Sequence, residues 1–220
     1  MITNIYKLAS RYWQVFFIGA WGTLWISLVV VLFGTLLGGL LALGKMSKKK
    51  FVTVPVNFYI EIVRGTPILL QLYFFSYGIS KIVPFALSEV TWIILALICN
   101  SSAYVAETIR SGIGAVDKGQ FEAAKSLGLS NKNMMSKIIL PQAIKNILPA
   151  LGNEFVMMIK ETSLASIFFI PSLMTAESIV SGRSGLKLES LIIVGLVYLM
   201  LTFPLSKLVQ YYERKFAKND

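Results

Sequence analysis

A long stretch without charge constrains this chain more than any other feature of its sequence. Residues 16–44 contain no Asp, Glu, Lys or Arg over 29 positions. As a helix rising roughly 1.5 Å per residue, this stretch exceeds the roughly 30 Å hydrocarbon core of a bilayer. Further apolar runs cover residues 51–80, 90–106, 138–170 and 190–206. The sequence therefore predicts an all-α integral membrane protein.

The composition excludes an ordinary soluble domain and several kinds of catalytic and metal site. Only 15% of the 220 residues are charged, against about 25% in soluble domains, and 55% are hydrophobic. The chain contains no histidine, which removes Ser-His-Asp triads and histidine-based zinc sites. Its one cysteine, Cys99, has no partner within the chain for a disulfide. We therefore expect no catalytic residues and no metal site.

The positions of the positive charges indicate the orientation in the membrane. Of the 21 Lys and Arg residues, 14 fall in residues 45–50, 110–145 and 207–218. Cytoplasmic loops carry an excess of Lys and Arg, so these segments are expected on the cytoplasmic side. Five membrane-spanning helices satisfy this rule, with the N-terminus outside and the C-terminus in the cytoplasm. The net charge of +10 does not indicate nucleic-acid binding, because the aromatic residues lie within the apolar runs.

We expect residues 1–220 to form a single transmembrane domain. Its longest cytoplasmic connection is residues 117–141. Good helix formers at 120–127 predict a short helix there. Gly128 suits the left-handed position after that helix, and Ser130 suits the N-cap of the next one. A loop that only joined two spans would not need a capped helix, so this segment is predicted to be functional.

The same segment resembles a known motif. The EAA motif of binding-protein-dependent ABC importer permeases is matched by Glu122-Ala123-Ala124, Gly128 and Ile138-Ile139-Leu140-Pro141 at their spacing. In that family the motif forms the coupling helix, which docks on the ATP-binding subunit. The small side chains of Ala123 and Ala124 are expected to let this helix seat in a groove on its partner.

Four other segments are similar to the polar amino-acid branch of these permeases: YIEIVRGTP (59–67), AYVAETIRSGI (103–113), GNEF (152–155) and KETSL (160–164). The resemblance implies the type I ABC importer permease fold in the bacterial cytoplasmic (inner) membrane. It also implies that the following residues couple the chain to the ATPase: Glu122, Ala123, Ala124, Gly128, Leu140 and Pro141.

The resemblance also implies a set of partners. These are an ATP-binding cassette subunit in two copies, a second permease subunit, identical or homologous, an extracytoplasmic amino-acid-binding protein, and the lipid bilayer. Such a permease performs no covalent chemistry, so the chain is expected not to be an enzyme. It would bind no cofactor itself, because ATP and Mg would sit on the partner ATPase.

One sequence match is misleading. Residues 39–45, GLLALGK, fit the first part of a phosphate-binding loop. The Ser or Thr that this motif needs is replaced by Met46, and no strand precedes the loop. We interpret it as the glycine-rich end of a membrane helix.

Ionisable side chains inside the spans are the candidates for a substrate path, because each costs at least about 2.5 kcal/mol at the bilayer centre. Six lie within or at the edges of the predicted spans: Glu61, Arg64, Glu107, Glu154, Lys160 and Glu161. Glu61 and Arg64 are three residues apart and are able to neutralise each other. Glu107 precedes Arg110 by three residues, which favours an interfacial ion pair.

Glu154 and Glu161 are the first candidates for contact with substrate. They are two helical turns apart on nearly the same face, and we predict that they face a water-filled path. The alternative is an ion pair that fixes helix packing. The resemblance favours the path, because related permeases of basic amino acids place acidic groups in a midmembrane pocket. We add Thr162, which lies in the KETSL segment.

A second polar group shares a helical face by its spacing: Asn100, Ser101, Tyr104 and Glu107. These side chains are suited to bind an amino-acid zwitterion, and hydrogen bonding between helices is the alternative. Residues 65–67, Gly-Thr-Pro, interrupt a helix at membrane depth, which suits a moving gate.

The substrate is less well defined by the sequence. Acids outnumber bases four to two among the six intramembrane charges, which favours arginine, lysine or histidine. Glutamine and cystine stay open as substrates. Two other classes stay open as well: a secondary transporter driven by an ion gradient, which would not need the capped helix, and a structural or signalling membrane subunit.

Overall fold

The computed structural model describes residues 1–84 and 86–217, and every regular element in these ranges is a helix. We number eight helices: α1 Ile2–Lys45, α2 Lys50–Gly65, α3 Ile68–Ile82, α4 Glu89–Gly114, α5 Lys118–Ser126, α6 Asn131–Phe168, α7 Leu173–Ser184 and α8 Lys187–Ala217. The prediction of an all-α membrane protein is therefore confirmed.

Helix α1 packs closely on α4 through glycine. A Cβ atom added at Gly34 would lie 2.8 Å from Ser101 Oγ, and one at Gly38 would lie 2.7 Å from the side chain of Val105. These two glycines form a GxxxG pair, a spacing that lets membrane helices approach closely. Both contacts run in the same order along the two helices, so α1 and α4 are parallel.

The remaining long helices alternate in direction. Helix α6 is antiparallel to α4, because Gly112 lies against Ile147 whereas Ser101 meets Glu154. Helix α8 is antiparallel to α6 in turn and starts beside the amino end of α1, where Asn4 contacts Glu189. Helices α1, α4 and α8 therefore finish at one end of the bundle, which we call the basic end and which carries Lys45, Arg110 and Arg214.

The second apolar run differs from the single span expected at 51–80. It forms two helices, α2 and α3, which meet at a break at Thr66 and Pro67. Helix α3 has 15 residues, so it is roughly 22 Å long and shorter than the roughly 30 Å core. Three helices (α1, α4 and α8) are long and apolar enough to span alone, or four if α6 and α7, bent by 47°, count as one span. The count of five spans and their orientation stay predictions.

Candidate functional site

The predicted coupling helix is present, with both caps. It begins after Asp117, whose Oδ1 accepts a hydrogen bond from Gly119 N–H at 2.8 Å. Its last residue is Ser126, and Gly128 just beyond it has φ +71, a conformation that costs a glycine little. The N–H of Gly128 bonds to the carbonyl of Lys125 at 2.9 Å. Ser130 Oγ then accepts from Asn133 N–H at 3.3 Å and caps α6, as the sequence predicted.

The two alanines of the motif point in different directions. Ala124 is 1% exposed and packs on Ile113 of α4 and on Met134 and Ala143 of α6. Its small side chain lets the coupling helix lie close to its own bundle rather than in a partner's groove. Ala123 is exposed and remains available to a partner.

The outer surface of the coupling helix combines charge with one large apolar side chain. Glu122 and Ala123 are exposed, and Leu127 is 78% exposed at the end of the helix. The sequence motif gave no role to Leu127, which shares this surface with Glu122 and Ala123.

The end of the motif lies at a distortion of α6. Leu140 is 39% exposed and Pro141 is exposed, whereas Ile139 between them and the coupling helix is buried. A wide π turn at Met135–Ile139 precedes Pro141, which has no N–H to continue the helix. Gln142 Nε2 donates to the carbonyl of Ile138 at 2.9 Å beside this distortion.

A cluster of charges surrounds Glu107 at the basic end. Arg110 Nε lies 2.8 Å from Glu107 Oε2, so the predicted interfacial pair is present. Lys45 Nζ, from α1, contacts Oε1 of the same carboxylate. Arg64 Nη1, from α2, lies 4.0 Å from Oε2 and stacks over the ring of Tyr104. One carboxylate thus joins three helices.

Glu61 does not take part in this cluster. It is exposed, and within residues 1–84 and 86–217 no salt bridge joins it to Arg64. The expected Glu61–Arg64 neutralisation is wrong, because Arg64 turns toward Glu107 instead. The structure thus brings together Arg64, Tyr104 and Glu107 and leaves Glu61 apart.

Glu154 is buried at the middle of the bundle. It is 8% exposed, and its Oε1 accepts a hydrogen bond from Ser101 Oγ at 2.8 Å. Ser101 also faces Gly34, so this contact lies where α1, α4 and α6 meet. Ser101 is the twelfth residue after the start of α4 at Glu89, near the middle of that helix. The buried carboxylate therefore lies beside the middle of α4, a helix long and apolar enough to span a membrane.

Glu161 lies two turns beyond Glu154, toward α7. It is half-buried, and its Oε2 is enclosed without a hydrogen-bond partner among the described residues. Lys160 beside it is exposed. Thr162 is buried and donates to the carbonyl of Ile159 at 2.8 Å, a bond within its own helix. Glu161 thus holds an enclosed carboxylate oxygen that no described residue bonds.

Asn100 belongs to a polar contact that the sequence did not reveal. Its Nδ2 donates to Gln71 Oε1 at 3.0 Å. Gln71 Nε2 donates in turn to the carbonyl of Val63 at 2.7 Å and to the carbonyl and hydroxyl of Thr66 at 3.1 and 2.9 Å. Gln71 therefore binds the carbonyls that the break before Pro67 leaves open. The available signal was an amide four residues after a proline in an apolar run.

These features point to one family, and comparison with known proteins agrees. Residues 34–218 match the family described as "Binding-protein-dependent transport system inner membrane component". The chain belongs to this family. It is a multi-pass protein of the cytoplasmic membrane and a non-catalytic subunit of an ABC transporter, whose ATPase is a separate subunit. Importers of this family generally work with an ATPase and a substrate-binding protein.

Similar proteins agree along most of the chain. The arginine transport system permease protein ArtQ of Bacillus subtilis (strain 168) is 38% identical and covers 90% of each chain. The putative glutamine transport system permease protein GlnP of Rickettsia conorii is 39% identical, over 96% of this chain and 98% of that one. A crystal structure of an amino acid ABC transporter with histidines superposes with TM-score 0.90 at 41% identity, over 94% and 96% of the chains. The resemblance to the polar amino-acid branch and the permease fold is confirmed.

Proposed function

We propose that this chain forms the translocation path of an ATP-driven amino-acid importer, with arginine, lysine or histidine as substrate. The observation that carries the proposal is the pair Glu154 and Glu161 on α6. Within residues 1–84 and 86–217, no salt bridge reaches either carboxylate. The ion pair that would have made them purely structural is thus missing from the described residues, which supports a role toward a cationic ligand.

The electrostatics of Glu154 support a cationic substrate. Moving a carboxylate out of water is costly unless it is paired or hydrogen-bonded. Ser101 supplies one hydrogen bond at 2.8 Å but no positive charge. A substrate ammonium or guanidinium would supply that charge, so a basic amino acid gains more from this place than a neutral one. Glu161, which no salt bridge reaches among the described residues, would add a second negative charge about 10 Å along the same helix.

The names of similar proteins leave two substrate classes. ArtQ is described as an arginine permease, and the transporter of known structure is described as "with histidines". Both descriptions support a basic amino acid as the substrate. GlnP is described as a glutamine permease at nearly the same identity, so glutamine is the second candidate. The unpaired carboxylates favour the first.

We infer that ATP binding is transmitted through the coupling helix. Its outer surface, Glu122, Ala123 and Leu127, would dock on an ATPase subunit that holds ATP and Mg. Its inner surface, Ala124, packs on the ends of α4 and α6. A push on the coupling helix would thus reach α6, which carries Glu154. The complete transporter would contain two permease chains, identical or homologous, two ATPase subunits and an external binding protein. Within this chain, residues 1–220 would act as one domain.

The test is amino-acid-stimulated ATP hydrolysis by the complex reconstituted in proteoliposomes with its ATPase and binding protein. We expect arginine, lysine or histidine to stimulate hydrolysis and uptake, with glutamine weaker. Stimulation by glutamine alone would refute the basic specificity. Uptake that needs an ion gradient and no ATP would refute the importer and favour a secondary transporter.

A further inference from the structure

The exposed side of α6 carries polar residues in a row. Asn146, Asn153 and Lys160 recur every seven residues, which is two helical turns, and all three are exposed. Ala150 and Met157 lie between them on the same side of the helix. We call Asn146, Asn153 and Lys160 the polar stripe. Glu154 and Glu161 lie beside this stripe, on the side that faces α4.

On the membrane placement that the sequence predicts, the polar stripe runs from the edge of the hydrocarbon core at the basic end to beyond its middle. Glu154 meets the middle of α4, and Asn153 is its neighbour in the chain. Asn146 is about 12 Å away toward the basic end, and Lys160 is about 9 Å beyond Glu154 in the other direction, at roughly 1.5 Å per residue. Both distances fit within half of a core that is roughly 30 Å thick.

A row of amides and an ammonium at this depth is incompatible with lipid. Polar residues within membrane segments face the interior of a bundle or a water-filled cavity. The other sides of α6 are occupied, since Ile147 meets α4 at Gly112 and Gly152 meets α8 at Val209. The polar stripe is therefore the side of α6 that remains for water.

A cavity continues the stripe toward the basic end. It has a volume of about 580 Å³, lies between α6 and α8, and is lined by Asn146, Asn153, Lys145 and Glu213 among others. The apolar groove beside it, lined by Leu148, Gly152 and Tyr212, contains no charged residue. Water and a polar solute would enter the first and avoid the second.

We propose that the polar stripe forms one wall of the aqueous path, with Asn153 positioning the amino acid next to Glu154 and with the cavity at Asn146 as its opening at the basic end. This rests on the proposed function, because it takes the transported amino acid as the occupant. Asn153 offers both an amide donor and an amide acceptor, which suit the carboxylate and ammonium of any amino acid. Glu154 thus selects a positively charged amino acid, and Asn153 adds a contact that every amino acid is able to make.

The test is the reaction of introduced cysteines with a water-soluble, membrane-impermeant methanethiosulfonate. Asn146→Cys and Asn153→Cys would each be made in a Cys99→Ala background, in the complete complex in lipid nanodiscs. Leu148→Cys is the matched control, since Leu148 is 49% exposed on the same helix but borders the apolar groove. Because a thiol reacts as its thiolate, which forms poorly in hydrocarbon, we expect both stripe positions to react at least about tenfold faster than Leu148→Cys.

The same samples separate this inference from the proposed function. A saturating amino acid that stimulates ATP hydrolysis should slow the labelling of Asn153→Cys but not that of Asn146→Cys. If hydrolysis is stimulated while the stripe positions react no faster than Leu148→Cys, the path along the stripe is wrong and the importer stands. If the stripe positions react fast while no amino acid stimulates hydrolysis by the parent Cys99→Ala complex, the water-lined wall stands and the amino-acid function is wrong.

Discussion

Replacing Glu154 by glutamine removes a charge and keeps the shape of the side chain. Ser101 Oγ donates to Glu154 Oε1 at 2.8 Å, and a glutamine oxygen would accept the same hydrogen bond. The contact among α1, α4 and α6 should therefore survive in Glu154→Gln. Any loss of transport would then report on the missing negative charge rather than on a rearranged bundle.

The expected loss follows from the value of a hydrogen bond to a charged group. Such bonds are worth about 1.5–3 kcal/mol, which is roughly 12-fold to 150-fold in affinity. We expect Glu154→Gln to lower arginine uptake by roughly 12-fold to 150-fold and to change glutamine uptake little. The thermal unfolding temperature in detergent should stay the same or rise, because the variant no longer buries a carboxylate that is 8% exposed.

The assay is uptake of radiolabelled arginine and glutamine by proteoliposomes that contain the complete complex. Glu189→Gln is the control for removing one negative charge, since Glu189 lies at the start of α8 beside Asn4 and far from Glu154. Equal losses for arginine and glutamine would refute the charge argument. A fall in unfolding temperature would show that Glu154 supports the fold instead.

Three further variants test other contacts. Gly38→Ala should destabilise the chain by about 1–3 kcal/mol, because the added Cβ would lie 2.7 Å from the side chain of Val105. The control is Gly39→Ala, which has open space around it and should have no such effect. Thermal unfolding in detergent compares the two variants, and equal effects would contradict close packing of α1 on α4. Gln71→Leu strands two carbonyls at the break before Pro67 and should cost about 1–3 kcal/mol in the same assay, a result that an unchanged unfolding temperature would exclude. Glu122→Lys should abolish amino-acid-stimulated ATP hydrolysis without changing the unfolding temperature, and normal stimulation would argue against ATPase docking there.

Local patterns in the sequence predicted local structure well. Gly128 and Ser130 take the cap positions expected of them, because caps depend on a few neighbouring residues. The Glu107–Arg110 pair is also present, since residues three apart on a helix are neighbours in any fold. The same rule failed for Glu61 and Arg64, because a carboxylate from another helix competes for Arg64.

Contacts between distant parts of the chain were beyond the sequence. Glu154 and Ser101 are 53 residues apart, and no periodicity relates them. The burial of Ala124 depends on where the ends of α4 and α6 meet. Gln71 was missed because nothing in its own segment shows that its side chain would meet Asn100 on another helix, although a buried amide also needs hydrogen-bond partners.

The contacts of Gln71 restrict the change of angle between α2 and α3 at the break before Pro67. A bare break at Pro67 would bend freely, but here one amide ties the end of α2 to the start of α3 and to Asn100. These hydrogen bonds therefore hold the angle between α2 and α3, and a change in this angle would require all of them to break together. Helices α2, α3 and α4 should therefore move together, which argues against the moving gate that the sequence suggested at residues 65–67.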